Sequence, residues 1–396
     1  MVLTIKSVKQ SFMPTPEMLG LMETFRQMVN ECVAIGLEND ASTLKKLSSL
    51  SYPLLARYYV ISYYKLCAIS HAAGILANRK KTLKRGLKPR NPYAKQVLLI
   101  SCYGFKIVEG VLKVPLGNGE YFDIPLNSYV RKVLSDSSLQ VRSFTLTADS
   151  LSICMSREVT EIECTSIEGV DRNLRNLTVG NANNVVQYDL SQAVDVAENT
   201  RSIIKSFKRN DVRIRRKLYR KYGTRKKRRV NQLLHRLTKA IVKHAKQSKA
   251  AIAFEDIRHI RRLYQKGNYQ GRNYRSRLNG WSFAEVKRQV EYKAKWEGIP
   301  IIQLSVGETR GTSQLCPRCG KKITQVDRFR QPYCAQCNKW MDRDIVAAMN
   351  LSVKGRSRFE RSKGLAGEAM KGNPMMPAIL RVDASKLAFR RREPTS

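Results

Sequence analysis

The chain has 396 residues, with 73 Lys and Arg against 32 Asp and Glu, a formal net charge of +41. Its 42% hydrophobic content excludes a wholly disordered chain, and its length suggests about two or three domains. No apolar run reaches the ~20 residues of a membrane helix, and the start lacks a signal peptide's apolar stretch, so membrane and secreted classes are out. Self-repulsion at +41 opposes folding unless a polyanion neutralises it, so a soluble intracellular protein that binds nucleic acid is expected.

In chain order, VLTIKSV reads as a short strand. Thr15-Pro16-Glu17 then marks a helix start: an N-cap, a proline at the first helical position and an early acid. Met18, Leu21, Met22, Phe25, Met28, Val29, Cys32 and Val33 follow at helical spacing. A second apolar helix pattern over 53–77 is interrupted by Arg57, Lys65 and His71. It runs into a basic stretch where Arg79, Lys80, Lys81, Lys84, Arg85, Lys88, Arg90 and Lys95 meet no acid. Residues 97–158 alternate apolar and polar side chains, with Gly-Asn-Gly and Ala-Asp-Ser at turns. They predict an antiparallel β module closed as a small barrel.

A further unit begins near Glu161, with a strand, a turn and two more strands through NNVVQYDLS. A long helical pair over 201–250, split at KYGTRKKRR, comes next. AAIAFEDI and PIIQLSV read as buried strands and SFAEVKRQVEYKAKWEG as a helix between them, a pattern that favours a parallel or mixed sheet. DRDIVAAMNLSVKG closes the unit as a helix. The tail from Arg356 is rich in Gly, Lys, Arg and Pro and is left unassigned.

Five of the nine cysteines (Cys32, Cys67, Cys102, Cys154, Cys164) are scattered and read as small hydrophobes. The other four form Cys316-x2-Cys319 and Cys334-x2-Cys337, two turn-forming pairs 14 residues apart. Such knuckles aim four thiolates at one ion, a closed tetrahedral zinc site in a reducing compartment; four unrelated thiols are the alternative. With no open position, that zinc would be structural and not the seat of an activity.

The acids carry a second pattern. Asp171 ends the strand SIEGVD, Glu255 ends AIAFE and Asp344 opens the last helix. Carboxylates at two strand ends and one helix start can converge to hold two divalent cations about 4 Å apart for phosphodiester hydrolysis. Each taken singly could equally be a cap or solvated.

The cations form a third pattern. Residues 201–250 hold 20 Lys and Arg against one acid, Asp211, a net +19 that neighbouring pairs cannot offset. Contact with phosphates is expected there and in the 79–95 cluster, with Lys80, Lys81, Lys84, Arg85, Lys226, Lys227, Arg228, Arg229, Arg272, Arg275 and Arg277 as candidates. Any single one could be part of a solvated face. Tyr219, Tyr222, Tyr264, Tyr269 and Tyr274 add stacking candidates, while His235, His244 and His259 read as contacts or filler.

GVDRNLRNLTVG, AFEDI, YKAKWEGIPI, TSQLCPRCG…YCAQC and DRDIVAAMNL occur in the same order as in TnpB, the OrfB protein of bacterial and archaeal insertion sequences. The chain resembles that family, and the related compact type V CRISPR effectors, over roughly 100–352. The resemblance implies an α+β multidomain fold: a β-barrel wedge domain from 1–10 and 96–160, and a helical recognition domain from 11–95. It further implies a RuvC-like nuclease of RNase H fold from 161–310 and 338–355, interrupted by a zinc ribbon at 311–337, with a basic tail at 356–396.

It also implies a transposon-associated endonuclease, cytoplasmic and nucleoid-associated in a prokaryote. Such an enzyme cuts double-stranded DNA chosen by a bound guide RNA and a short target-adjacent motif. Asp171, Glu255 and Asp344 would be its catalytic ligands for two Mg2+ or Mn2+ ions, with Asp342 in reserve for the third, and the four cysteines would hold one Zn2+. The family usually has glycine two residues after the first aspartate and asparagine two after the last; here stand Asn173, which tolerates a left-handed backbone, and Val346. The two basic regions suit a folded RNA. Rival readings are a nuclease-silent RNA-guided DNA-binding regulator and a transposase or accessory protein of an insertion sequence.

Overall fold

The computed structural model describes residues 1–207, 212–257, 271–281, 283–324, 330–362 and 379–383. Asp211, His259, Tyr264, Tyr269 and most of the 356–396 tail lie outside the described residues. The chain forms two compact units, Leu3–Glu158 and Val159–Ser396 with Met1–Val2.

The first unit holds β1 (Val2–Ser11), α1 (Pro16–Glu38), α2 (Leu44–Ser51), α3 (Ser62–Leu83), β2 (Leu98–Ser101), β3 (Lys106–Val108), β4 (Val111–Gly117), β5 (Glu120–Pro125), α4 (Ser128–Leu134), β6 (Gln140–Thr147) and β7 (Ser150–Val159). Thr15 caps α1 as expected, its hydroxyl accepting from Met18 N at 3.3 Å. The predicted face of Met18, Met22, Phe25, Met28, Val29, Cys32 and Val33 is buried.

Two expectations need correction here. The helix over 53–77 is broken: a 3-10 turn at Leu54–Arg57 leads through an extended Ile61 (ψ 149°) into α3. The β-branched pair Val60-Ile61 favours that extended link. The β module is also not one closed ladder. Its strands pair as β1-β7-β6-β2 and as β3-β4-β5. The second sheet is a local meander whose turns use Glu109 (φ 51°) and Asn118 (φ 51°), each followed by glycine, so its hydrogen bonds close on themselves. The sheets meet through side chains, with Phe105 edge-on to Phe144 at 5.4 Å. Of the scattered cysteines, Cys102 is exposed and does not pack as a core residue.

The second unit holds β8 (Ser166–Arg172), β9 (Asn176–Gly180), β10 (Val185–Asp189), α5 (Ser191–Ser206), α6 (Val212–Gln247), β11 (Ala250–Phe254), α7 (Arg272–Asn279), α8 (Phe283–Trp296), β12 (Ile301–Gln303), β13 (Tyr333–Cys334), β14 (Lys339–Trp340), α9 (Arg343–Ser362) and β15 (Ile379–Asp383). A six-stranded mixed sheet runs β12-β11-β8-β9-β10-β15, with β12, β11 and β8 mutually parallel. One face packs on α5, α6 and α8 through Val170, Leu234, Leu237, Ile252, Phe254 and Val290; the other carries α9 through Ile167, Ala253 and Leu351.

The split expected at KYGTRKKRR does not occur, because α6 runs unbroken through Gly223. Burial of Val230, Leu234, Leu237, Ile241 and Ala245 anchors its second half, which outweighs the ~1 kcal/mol that a mid-helix glycine costs. In the tail, α9 continues to Ser362 and β15 adds an edge strand parallel to β10. The fold is thus α+β, with a four-cysteine cluster between β12 and α9.

Candidate active site and cysteine cluster

The parallel pairing of β8 with β11 sets Val170 opposite Phe254, so Asp171 and Glu255 emerge at the same end of the sheet. That carboxyl end of parallel strands is where such sheets hold ligands. The helix α9 brings the third acid. It can lie against β8 because residue 169 is glycine: a Cβ there would sit 2.2 Å from Ala348 O and 2.7 Å from Leu351 Cβ. Gly355 makes a second close approach, to Ala253, and the Ser352 hydroxyl donates to Ile167 O at 2.7 Å. This contact draws Asp344, in the first turn of α9, into the electrostatic neighbourhood of Asp171.

The three predicted acids are therefore brought together, and their electrostatics show it. Burial pushes the Asp171 carboxyl well above its usual pKa, and the Glu255 and Asp344 carboxylates push it further. Asn173 opposes this, its Nδ2 donating to Asp171 Oδ2 at 2.7 Å. Burial also raises Glu255, against the pull of Arg172. Asp344, 4% exposed, accepts at Oδ2 from Asn176 Nδ2 and from Arg330 Nη1, each at 3.1 Å.

Asp342 is placed differently. Its Oδ1 accepts from Asp344 N at 2.8 Å and Ile345 N at 3.3 Å, so it is the N-cap of α9. Asn173 is not among the positive-φ residues, so its value lies in its amide and not in a left-handed backbone.

Three neighbours escaped the sequence reading. Arg172 is buried beneath the acids, donating to Glu255 O at 2.7 Å and lying 5.3 Å from the Phe254 ring centre. A cation inside an otherwise buried strand was its only signal. Asn176 and Arg330 had none, since their contacts depend on how β9 and the cysteine-bearing loop fold back. Three carboxylates gathered so that two of them raise the pKa of the third, Asp171, are a donor set suited to hard divalent cations.

Among the described residues, the four cysteines are the only group of three or more whose metal-ligating atoms lie within 4.8 Å of one another; the three acids are more open. Cys316 Sγ lies 3.8 Å from Cys337 Sγ, and Cys319 Sγ lies 3.6 Å from Cys334 Sγ. A tetrahedron with Zn–S bonds of about 2.3 Å has edges of about 3.8 Å, so the cluster could bind zinc. The first knuckle closes through Cys316 N to Lys321 O and Gly320 N to Cys316 O, with Gly320 at φ 71°. Ile323, Met341 and Val346 pack on the sulfurs. Val346 thereby joins the cluster to the start of α9.

The predicted basic residues fall on both units. Lys80 and Lys81 end α3, Lys84 and Arg85 follow it, and all four are exposed. On α6, Lys227, Arg228 and Arg229 are exposed and Lys226 half-buried; Arg272, Arg275 and Arg277 lie on α7. Arg277 is already paired, its Nε 2.7 Å from Glu198 Oε1. His244 is paired with Glu168 and His235 sits half-buried beside Lys293, so both are structural. Tyr219 and Tyr274 are exposed.

The family described as Cas12f1-like, TNB domain, matches residues 283–351, which span α8, the cysteine cluster and the first half of α9. A TnpB-like protein of Methanocaldococcus jannaschii is 28% identical over 267 residues, covering 64% of this chain and 93% of that protein. The resemblance to the TnpB family holds. A CRISPR-associated endodeoxyribonuclease Cas12f1 of Sulfoacidibacillus thermotolerans is 29% identical over 122 residues, and this chain spans 26% of its length. A Cas12f1 chain solved in complex with sgRNA and target DNA superposes with a TM-score of 0.57 at 16% identity, covering 85% of this chain and 83% of that one. That likeness is one of fold. Among the described residues no helix is long and apolar enough to cross a membrane.

Proposed function

We propose that the chain is an RNA-guided DNA endonuclease of the TnpB kind, whose second unit is a RuvC-like nuclease centred on Asp171, Glu255 and Asp344. The observation that carries this is the convergence of three carboxylates from β8, β11 and α9, in which Asp171 is held well above its usual pKa by burial and by the other two acids. Mg2+ or Mn2+ bound there would supply an activated water and stabilise the leaving oxygen of a phosphodiester. The protein's part is placement. Arg172 fixes the end of β11 through Glu255 O, Asn173 orients Asp171, and Asn176 with Arg330 orients Asp344.

The four-cysteine cluster, with one Zn2+, is structural in this reading, and Val346 transmits its position to α9. In the first unit, 1–10 with 96–160 act as the wedge and 11–95 as the recognition domain. The names of the relatives, a TnpB-like protein and an endodeoxyribonuclease, support the same activity. The basic surfaces on α3 and α6 supply the affinity for guide RNA and DNA, while guide pairing chooses the sequence.

The test is to purify the chain, sequence the RNA that accompanies it, and assay cutting of DNA matched to that RNA. One defined RNA, with cutting that follows its guide end and stops in Asp171→Asn, is the expected result. Binding without cutting in the unaltered chain would favour the silent regulator. Cutting of duplex DNA with no RNA would favour the transposase.

A further inference from the structure

A cleft of about 400 Å³ lies where α5, α6 and the α7–Trp281 segment meet. Its floor and walls include Leu174, Tyr219 and Trp281, and Arg201, Lys205 and Lys226 stand around it. Arg277 also reaches the cleft, but its charge is matched by Glu198, which makes it a strut. Leu174 is only three residues past Asp171, so their backbones are at most about 11 Å apart.

Gly223 gives the cleft its meaning. It sits inside the 36-residue α6 and lines this cleft. Glycine there costs about 1 kcal/mol of helix stability relative to alanine. Tight packing does not demand it, because a Cβ would meet nothing within 4 Å. What the missing side chain provides is open space beside Tyr219, four residues earlier on the same helix face.

We propose that this cleft takes one unstacked nucleotide of the DNA strand being cut, its base against the exposed Tyr219 ring and its phosphate toward Lys205 and Lys226. The volume suits one nucleotide and no duplex. An apolar, aromatic floor ringed by cations is the chemistry that holds a single strand without reading its sequence. The strand's identity as substrate rests on the nuclease reading, through the closeness of Leu174 to Asp171. The pocket would pull one nucleotide out of the stack and so keep the neighbouring phosphodiester extended toward the acids.

The experiment measures binding of the full-length protein, without divalent cations, to a short single-stranded DNA and to a strand of equal length made wholly of abasic units. The base-bearing strand is expected to bind about tenfold tighter per stacked base. Gly223→Leu, which keeps helix propensity and fills the cleft, should cut that ratio by most of this factor. Tyr219→Ala should lower it by several-fold, and serves as a second probe if the leucine variant melts early. Gly20→Leu, the same change on an exposed position of α1, should leave the ratio alone. An unchanged ratio in Gly223→Leu and Tyr219→Ala overturns the proposal. So does loss of discrimination on an RNA strand but not on DNA, which would make the cleft a guide site. Because no cation or cutting is involved, a chain that never cuts DNA would sink the nuclease reading while this ratio still reports on the pocket.

Discussion

The cysteine cluster and the acid cluster of the second unit are built on opposite principles. The cysteines lie within 22 residues of chain, on two tight knuckles, and their sulfurs already stand at tetrahedral spacing. The acids come from positions 171, 255 and 344, on three elements held by a sheet and a helix, and are more open and mutually repulsive. In the proposed reading the first needs its zinc to fold. In the same reading the fold holds the second against its own electrostatics, and bound cations would relieve the repulsion. Removing metal from each should therefore have opposite structural consequences.

The largest effect should come from the cysteines. A structural zinc of this kind contributes about 10–16 kcal/mol of apparent binding energy, which is folding energy for a segment with little core of its own. Cys334→Ser should drop the zinc content from about one per chain and expose the amides of 316–324 and 330–341 to hydrogen exchange. Because Val346 and Met341 rest on the cluster, the start of α9 should loosen and cutting should fall with it. Fully active, soluble protein without zinc would break the comparison on this side.

The acids should behave in reverse. Asp171→Asn, Glu255→Gln or Asp344→Asn should reduce cutting by about three powers of ten or more, since the substitution removes several kcal/mol of transition-state stabilisation. Stability should not suffer. A carboxyl whose folded pKa is raised costs stability when ionised at neutral pH, so Asp171→Asn should hold or raise the melting temperature in the absence of divalent cations. The rise in melting temperature that Mn2+ gives the unaltered protein should vanish in the variant. A variant that melts much earlier without cations would mean that Asp171 is a structural acid.

A smaller effect tests what holds the acids in place. Gly169→Ala forces a methyl group to within 2.2 Å of Ala348 O, so α9 must lift from β8. Overpacking of this kind costs about 1–3 kcal/mol, a drop of several degrees in melting temperature. Cutting should fall more than stability suggests, because Asp344 rides on α9. The cysteine site should keep its zinc.

The same contrast explains what could be read in advance. Cysteine spacing is local, so the cluster was legible from Cys316 to Cys337 without any fold. The acids were legible as element ends, because the apolar runs before Asp171 and Glu255 mark strands and DRDIVAAMNL marks a helix. What joins them was not legible: Gly169 looks like any strand glycine until α9 is seen lying on it. Arg330 reaches Asp344 only because the chain turns back before Arg343. The continuous α6 was misread because Gly223 and the run of cations suggest a break locally, whereas tertiary burial of its second half decides the matter. The 3-10 break before α3 and the two separate sheets of the first unit failed for a similar reason, since periodicity marks strands and helices but not where a ladder closes.

The smallest predicted effect concerns a carboxylate on β8 that takes no part in either cluster. Glu168 is 1% exposed, and its Oε1 lies 2.9 Å from His244 Nδ1 and accepts from the Ser248 hydroxyl at 2.9 Å. On the other side of the ring, Asn184 Nδ2 lies 3.1 Å from His244 Nε2. The bond to Glu168 raises the His244 pKa above its ordinary 6.5, against the opposing effect of burial. The stability from this pair is therefore complete below pH 6.5 and is lost as pH rises through the raised folded value. The raised carboxyls of Asp171 and Glu255 bend stability in the same direction as pH rises above their ordinary range, so the sources must be separated. Denaturant unfolding of Asp171→Asn without divalent cations, from pH 6 to 9, should still show a decline. Adding His244→Gln should flatten it, since glutamine keeps a neutral partner for Glu168 at every pH. A slope that survives His244→Gln would place the titrating group elsewhere.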